Sequence, residues 1–229
     1  MENPLEKITE LLLNKSSTKQ LAFRTTKQAF SILKTELKQI ETALIPSITA
    51  VDKNVEVKYT DKGELEIHLK FSGDTLVFMM HTNVFDFDEQ HAVAKSRYVQ
   101  QDALREFCGL IQVYNFLSDS IKYNREADAG FLVARIFVNK ENHFFVEGKK
   151  PFSFLYNDFE KQVFDNKAAH DIIVEAIKFT LNFDLKMPPF DAAQFISLEQ
   201  KNMMSYSSGI PTQKQLGFTI TKENTENNY

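Results

Sequence analysis

The chain has 229 residues, a formal charge of −4 and 43% apolar side chains, with 21 Phe and no Trp. That length suits one large domain with a substantial core, and seven Gly and six Pro are too few for collagen, low complexity or a glycine-loop architecture. The acidic balance disfavours a nucleic-acid-coating role, and a single cysteine, Cys108, excludes an intramolecular disulfide or a Cys-based zinc site.

The N-terminal stretch MENPLEKITELLLNKSS carries acids where a secretory signal needs a basic start. No run approaches the roughly 20 apolar residues that span a bilayer, so no transmembrane segment is expected. Cytoplasmic residence is the expectation. Asn3-Pro4 is a good helix start, and Leu5, Ile8, Leu11 and Leu12 form one apolar face behind it. Ser17 and Gln20 spell a capping box for a second helix. In that helix Phe23, Thr26, Phe30, Leu33, Leu37, Ile40 and Leu44 alternate steps of three and four, up to a stop before Pro46. The stripe fits either a helix lying on its own sheet or a dimer seam.

Strands follow. Asn54–Thr60 and Glu64–Phe71 flank Asp61-Lys62-Gly63, which as a three-residue loop sets Lys58 opposite Glu66 and Glu56 opposite His68. A turn at Gly73-Asp74 leads to Thr75–Thr82, placing Phe71 opposite Leu76 and leaving Val77, Met79 and His81 on an under-polar far face. His91–Glu106 reads as an amphipathic helix and Leu110–Leu117 as a strand that could continue through Tyr123. Gly130–Asn139 and His143–Gly148 form a hairpin whose first strand is apolar on both faces. Asn166 caps a last strong helix through Ala169, Ile172, Ile173, Ala176, Thr180 and Phe183, ahead of Pro188-Pro189. A short helix is expected over Asp191–Glu199.

The result is an α+β fold, in αα-βββ-α-βββ-α order, with a single antiparallel sheet of about six strands. Residues 1–200 form one domain: a helical segment (1–46), the sheet (54–149) and C-terminal helices (156–199). A polar, mobile tail is expected over 201–229.

Candidate chemistry is sparse. Asp86, Asp88, Glu89 and His91, with His81 nearby, offer oxygen and imidazole donors for a divalent cation in a metal-dependent hydrolase or phosphotransfer enzyme. The same residues also suit a solvated loop ahead of a helix. His68 and His81 share a sheet face if the intervening turn has two residues. His143 and His170 read as exposed, and Cys108 as a buried hydrophobe. No phosphate loop or nucleophile elbow can be written. Between Lys15 and Lys38 six bases (Lys15, Lys19, Arg24, Lys27, Lys34, Lys38) face one acid, Glu36. They could meet an acidic protein surface, a phosphate-bearing ligand or nucleic acid, or balance acids of the chain itself, for which the acid-rich C-terminal segment Asp158–Glu199 is available.

The leading expectation is therefore a non-enzymatic binding or adaptor protein with no cofactor. It would contact a protein partner or a second copy, as a homodimer, through Phe30, Leu33, Leu37 and Ile40 of the seam or Val77 and Met79 of the sheet. A third alternative is an apolar ligand pocket lined by Phe131, Phe137, Phe144 and Phe145.

Overall fold

A computed structural model describes residues 3–184 and, beyond them, 190, 195, 197, 198, 201 and 202. The helix expected over Asp191–Glu199 and the tail over 201–229 lie, apart from those single positions, outside the described residues. One unbroken helical rod opens the chain. Helix α1 (Pro4–Leu11) starts as its sequence requires, with the Leu5 N–H donating to Asn3 Oδ1 at 3.1 Å and Pro4 in the first turn. A π-helical turn over Leu12–Ser16 then leads directly into α2 (Ser17–Thr49). The expected capping box at Ser17 does not form, because Ser17 has helical dihedrals and no helix end is present there for a cap to satisfy. Pro46 also fails to stop the helix. It costs only the bond to the carbonyl of Thr42, which is exposed on the last turns, where water can take over.

Six strands follow in one antiparallel sheet whose spatial order is the chain order: β1 (Val57–Asp61), β2 (Glu66–Phe71), β3 (Asp74–Phe85), β4 (Cys108–Leu117), β5 (Phe131–Asn139) and β6 (Phe144–Gly148). The first two registers differ from expectation. Lys58 faces Lys70, not Glu66, because the loop after Asp61 is longer; Lys34 Nζ holds it through Asp61 Oδ1 (2.9 Å) and the Gly63 carbonyl (2.6 Å). Phe71 faces Asp74, not Leu76, since the tight turn is Ser72-Gly73, with Ser72 at φ 56°. Both displacements are even, so each side chain keeps its predicted face.

One face of the sheet carries Ile67, Leu69, Leu76, Phe78, Ile111, Val113, Ile136 and Val138. It is covered by α2 and by α6 (Asn166–Leu181). Helix α2 approaches closely over β4: a Cβ on Gly109 would stand 2.2 Å from Thr26 Oγ1, so only glycine permits that crossing. Helix α6 is capped by Asp165, whose Oδ1 accepts from the Ala168 N–H at 2.7 Å, not by Asn166. Asn166 instead donates to Glu36 Oε1 at 2.8 Å, and His170 Nδ1 lies 3.5 Å from the other Glu36 oxygen. Glu36, 6% exposed, thus ties α2 to α6.

The opposite face is covered at one end by the segment between β3 and β4. The helix expected over His91–Glu106 breaks into α3 (Arg97–Gln101) and a 3₁₀ turn at Ala103–Glu106. Ser96 and Asp102 cause the break: each side chain accepts a backbone N–H, from Val99 and Leu104, in place of a helical carbonyl. Tyr98 and Val99 then pack with Cys108, Leu110, Phe137, Phe145 and Phe159 in a second core. β5 is therefore covered on both faces, as its composition predicts, although it lies fifth of six. The stretch after Leu117 is not a strand but α4 (Ser118–Lys122), and α5 (Phe152–Leu155) follows β6.

The edge strands also make hydrogen bonds outside the sheet. Along β6, Phe144 N–H and Val146 N–H donate to the carbonyls of Gln162 (3.0 Å) and Tyr156 (2.9 Å). On β1, the Tyr59 N–H donates to Glu41 Oε1 of α2 at 2.8 Å.

Candidate interaction surface

The clearest unpartnered feature is α1. Every residue from Asn3 to Ser17 is exposed. The rod first meets the body where the Lys15 and Lys19 ammoniums lie over the Phe107 ring, at 5.4 and 4.8 Å, and its first buried residue is Ala22. Leu5, Ile8, Leu11, Leu12 and Leu13 nonetheless point five large aliphatic groups into solvent, at 52–69% exposure. At about 100° per residue they share an arc of about 200°, and Glu6, Glu10, Asn14 and Lys7 fill the remainder. Amphipathic patterning normally marks a covered face. Among the described residues nothing covers it. The apolar face was legible in the sequence; that it is left over was not, because exposure depends on where the sheet ends beneath the rod.

The helix-seam candidates are core. Phe30, Leu33, Leu37 and Ile40 are 0–6% exposed against the chain's own sheet, which corrects their reading as an intermolecular surface. On the far sheet face Val77 is buried (4%) between His68 of β2 and Tyr114 of β4, so of that pair only Met79 (40%) is presented to solvent.

The acidic loop does not assemble a metal centre. Asp88 Oδ1 accepts from the Gln90 N–H at 2.8 Å in a local turn. His91 Nδ1 accepts from the Val93 N–H (3.3 Å), which leaves Nε2–H to donate to Glu147 Oε1 (3.1 Å), and its ring stacks on Phe87 at 4.8 Å. His81 turns away to accept from the Asn83 N–H and to meet Phe85 edge-on. Asp86 lies near Glu106, whose carboxyl is pushed up by burial and then by the Asp86 charge. Among the described residues no three His, Cys, Asp or Glu side chains converge as a cation requires. Asp88 and His91 thus shape and latch the loop, and neither Asp86 nor Glu89 joins them in the cation site that the sequence suggested.

The other histidines are similarly placed. His68 Nε2 meets Glu66 Oε1 at 2.6 Å. His143 stacks on Tyr98 and donates from Nδ1 to the Phe159 carbonyl, and so is not an exposed turn residue. His170, half exposed, serves Glu36. Cys108 is fully buried, and desolvation, with Glu106 adding to it, pushes its thiol well up. The four candidate pocket phenylalanines separate. Phe137 and Phe145 stack at 4.8 Å on one sheet face, Phe144 packs against Phe164 on the other, and Phe131 stacks on Phe179 and Phe183. They cannot line one cavity. Of the basic residues on α2, Lys27 pairs with Glu64 and Lys34 with Asp61, whose carboxyl the lysine and the Gly63 N–H hold down. These acids come from the β1–β2 hairpin, not from the C-terminal segment.

Among the described residues no helix is long and apolar enough to cross a membrane. The chain matches no family model, no curated protein and no solved structure.

Proposed function

We propose that this is a cytoplasmic, non-enzymatic binding or adaptor protein, and that α1 is its contact element. The observation that carries the reading is the five-residue aliphatic arc on a rod that leaves the body. Side chains a little over half exposed offer about 1–2 kcal/mol each on burial, enough to sustain a contact after association costs. The outward N–H groups of Phe144 and Val146 on β6 are already paired, so strand addition, the common alternative for a sheet protein, does not have that edge as a free template. The polar arc carries Glu6 and Glu10 against Lys7, which attracts no anionic lipid headgroup and favours a protein partner.

The experiment places a photo-crosslinking amino acid at Ile8 or Leu12, and at Glu10 as the control on the polar arc, in the expressing cell. A discrete protein adduct from positions 8 and 12 and none from position 10 supports the reading. Adducts at twice 26.4 kDa identify a second copy as the partner, and any other mass identifies a different protein. Absence of adducts from both apolar positions, or equal adducts from Glu10, overturns it.

A further inference from the structure

We propose that α1 is a marginally stable arm that melts to coil and re-forms in the free chain as one unit with the π-turn Leu12–Ser16, the packed residues just beyond that joint being where the melting stops. This rests on the contact reading only for its purpose; the conformational argument stands on the rod itself. Three observations carry it.

First, opening α1 breaks no packing with the described residues. None of its residues is buried, and neighbouring residues are exposed as far as Ser17, whereas opening Ala29–Ile40 strips Phe30, Leu33 and Leu37 out of the main core. Second, eight residues are too few to hold a helix in water by themselves. The arm persists because α2 spares it a nucleation step and because Asn3 and Pro4 favour its far end. Its helix–coil balance is then set by propagation alone, which is close to even for such a sequence. Third, the joint is locally the weakest part of the rod. The hydrogen-bond ladder passes there through a π-turn, and Asn14, Ser16 and Ser17 are poorer helix formers than alanine because their side chains compete for the backbone. Just beyond, Lys15 and Lys19 rest on Phe107 and Ala22 is buried, so fraying that reaches the joint meets real packing and stops.

Hydrogen exchange on the purified, full-length protein tests this without any partner. Amides of Ile8–Leu13 should exchange within about thirtyfold of the unstructured rate, while those of Ala29–Ile40 are slowed at least a thousandfold, as core amides limited by global unfolding are. The variant Asn14→Ala/Ser16→Ala/Ser17→Ala, all at exposed positions, should slow the arm about tenfold and leave Ala29–Ile40 unchanged. Arm amides slowed more than about thirtyfold in the parent chain overturn the proposal. So does a triple variant whose arm exchanges at the parent rate, since the joint is then not the weak link. The contact reading fails separately, by silent probes at Ile8 and Leu12.

Discussion

Gly109→Ala is the sharpest single perturbation of this fold, because it acts where α2 crosses β4. The new Cβ would lie 2.2 Å from Thr26 Oγ1, 2.8 Å from its Cβ and 3.0 Å from its Cγ2. Thr26 cannot swing aside: it is fully buried, and its hydroxyl donates to the Ala22 carbonyl at 2.7 Å. The helix itself must therefore lift, and overpacking of this kind costs about 3 kcal/mol at the upper end of its range. Thr26→Ala alone removes Oγ1 and Cγ2 and leaves a small void, for about 1 kcal/mol. In the double variant the contacts with Oγ1 and Cγ2 are gone, and the 2.8 Å approach to Cβ reaches ordinary contact with a shift of about 0.6 Å. The pair should then cost about 2 kcal/mol in total, a favourable coupling of about 2 kcal/mol. Urea unfolding followed by circular dichroism, at equal m-values, reads all four corners of the cycle. A Gly109→Ala variant within about 0.5 kcal/mol of the parent, or strictly additive losses, would refute the close-approach argument. The crossing also sets the direction in which the rod leaves the sheet, so the same lift should redirect α1.

Other consequences are more local. Glu36→Ala strips Asn166 and His170 of their shared acceptor between α2 and α6 and should cost about 2–3 kcal/mol, measured by urea unfolding; a loss under about 0.5 kcal/mol would show that the clamp is idle. Lys140 holds the Asp102 carboxyl below the usual carboxylate range, so the pair stabilises the fold above about pH 4 and its contribution fades as pH falls through the depressed folded value. Asp102→Asn, which keeps an acceptor for the Leu104 N–H, should cost about 0.5–1 kcal/mol at pH 7 for this partly exposed pair, with the gap closing as pH falls through the depressed folded value. A gap independent of pH would assign the loss to the turn rather than the charge. Cys108, buried and with its thiol pushed up, should react with a thiol reagent only at the rate of unfolding, and fast labelling of native protein would contradict its burial.

Periodicity made most of the architecture readable. The alternation of Val57, Tyr59, Ile67, Leu69 and Phe71 identified the buried face of the first hairpin even though both registers were misplaced, because an even slip leaves facing intact. What escaped were decisions made by single polar side chains. Lys34 lengthens one turn by gripping Asp61 and Gly63, and Ser96 and Asp102 divide one expected helix. The seam from Phe30 to Ile40 was correctly periodic, but a period alone does not distinguish a partner's surface from the chain's own sheet. The reverse held for the acidic loop: four donor-type residues lie within six positions, yet Asp88 turns to Gln90 and His91 to Glu147. Short sequence spacing does not bring side chains to a common point when each finds a nearer partner.

Among the described residues nothing covers the exposed arc of α1, and the inner face of the sheet has no room for it. Turning α1 back onto the inner face would require space that Phe30, Leu33 and the α6 residues Ile172, Ile173 and Ala176 already fill. On the proposed reading, another molecule covers the arc. A marginal arm has a definite effect on such a contact. The ordering cost falls at the moment of binding, so affinity per unit area is lower than a rigid helix would give and release is correspondingly easier. Stiffening the joint should move binding in the opposite direction: the Asn14→Ala/Ser16→Ala/Ser17→Ala chain, if it holds its helix, should bind the same partner more tightly without adding an interfacial atom.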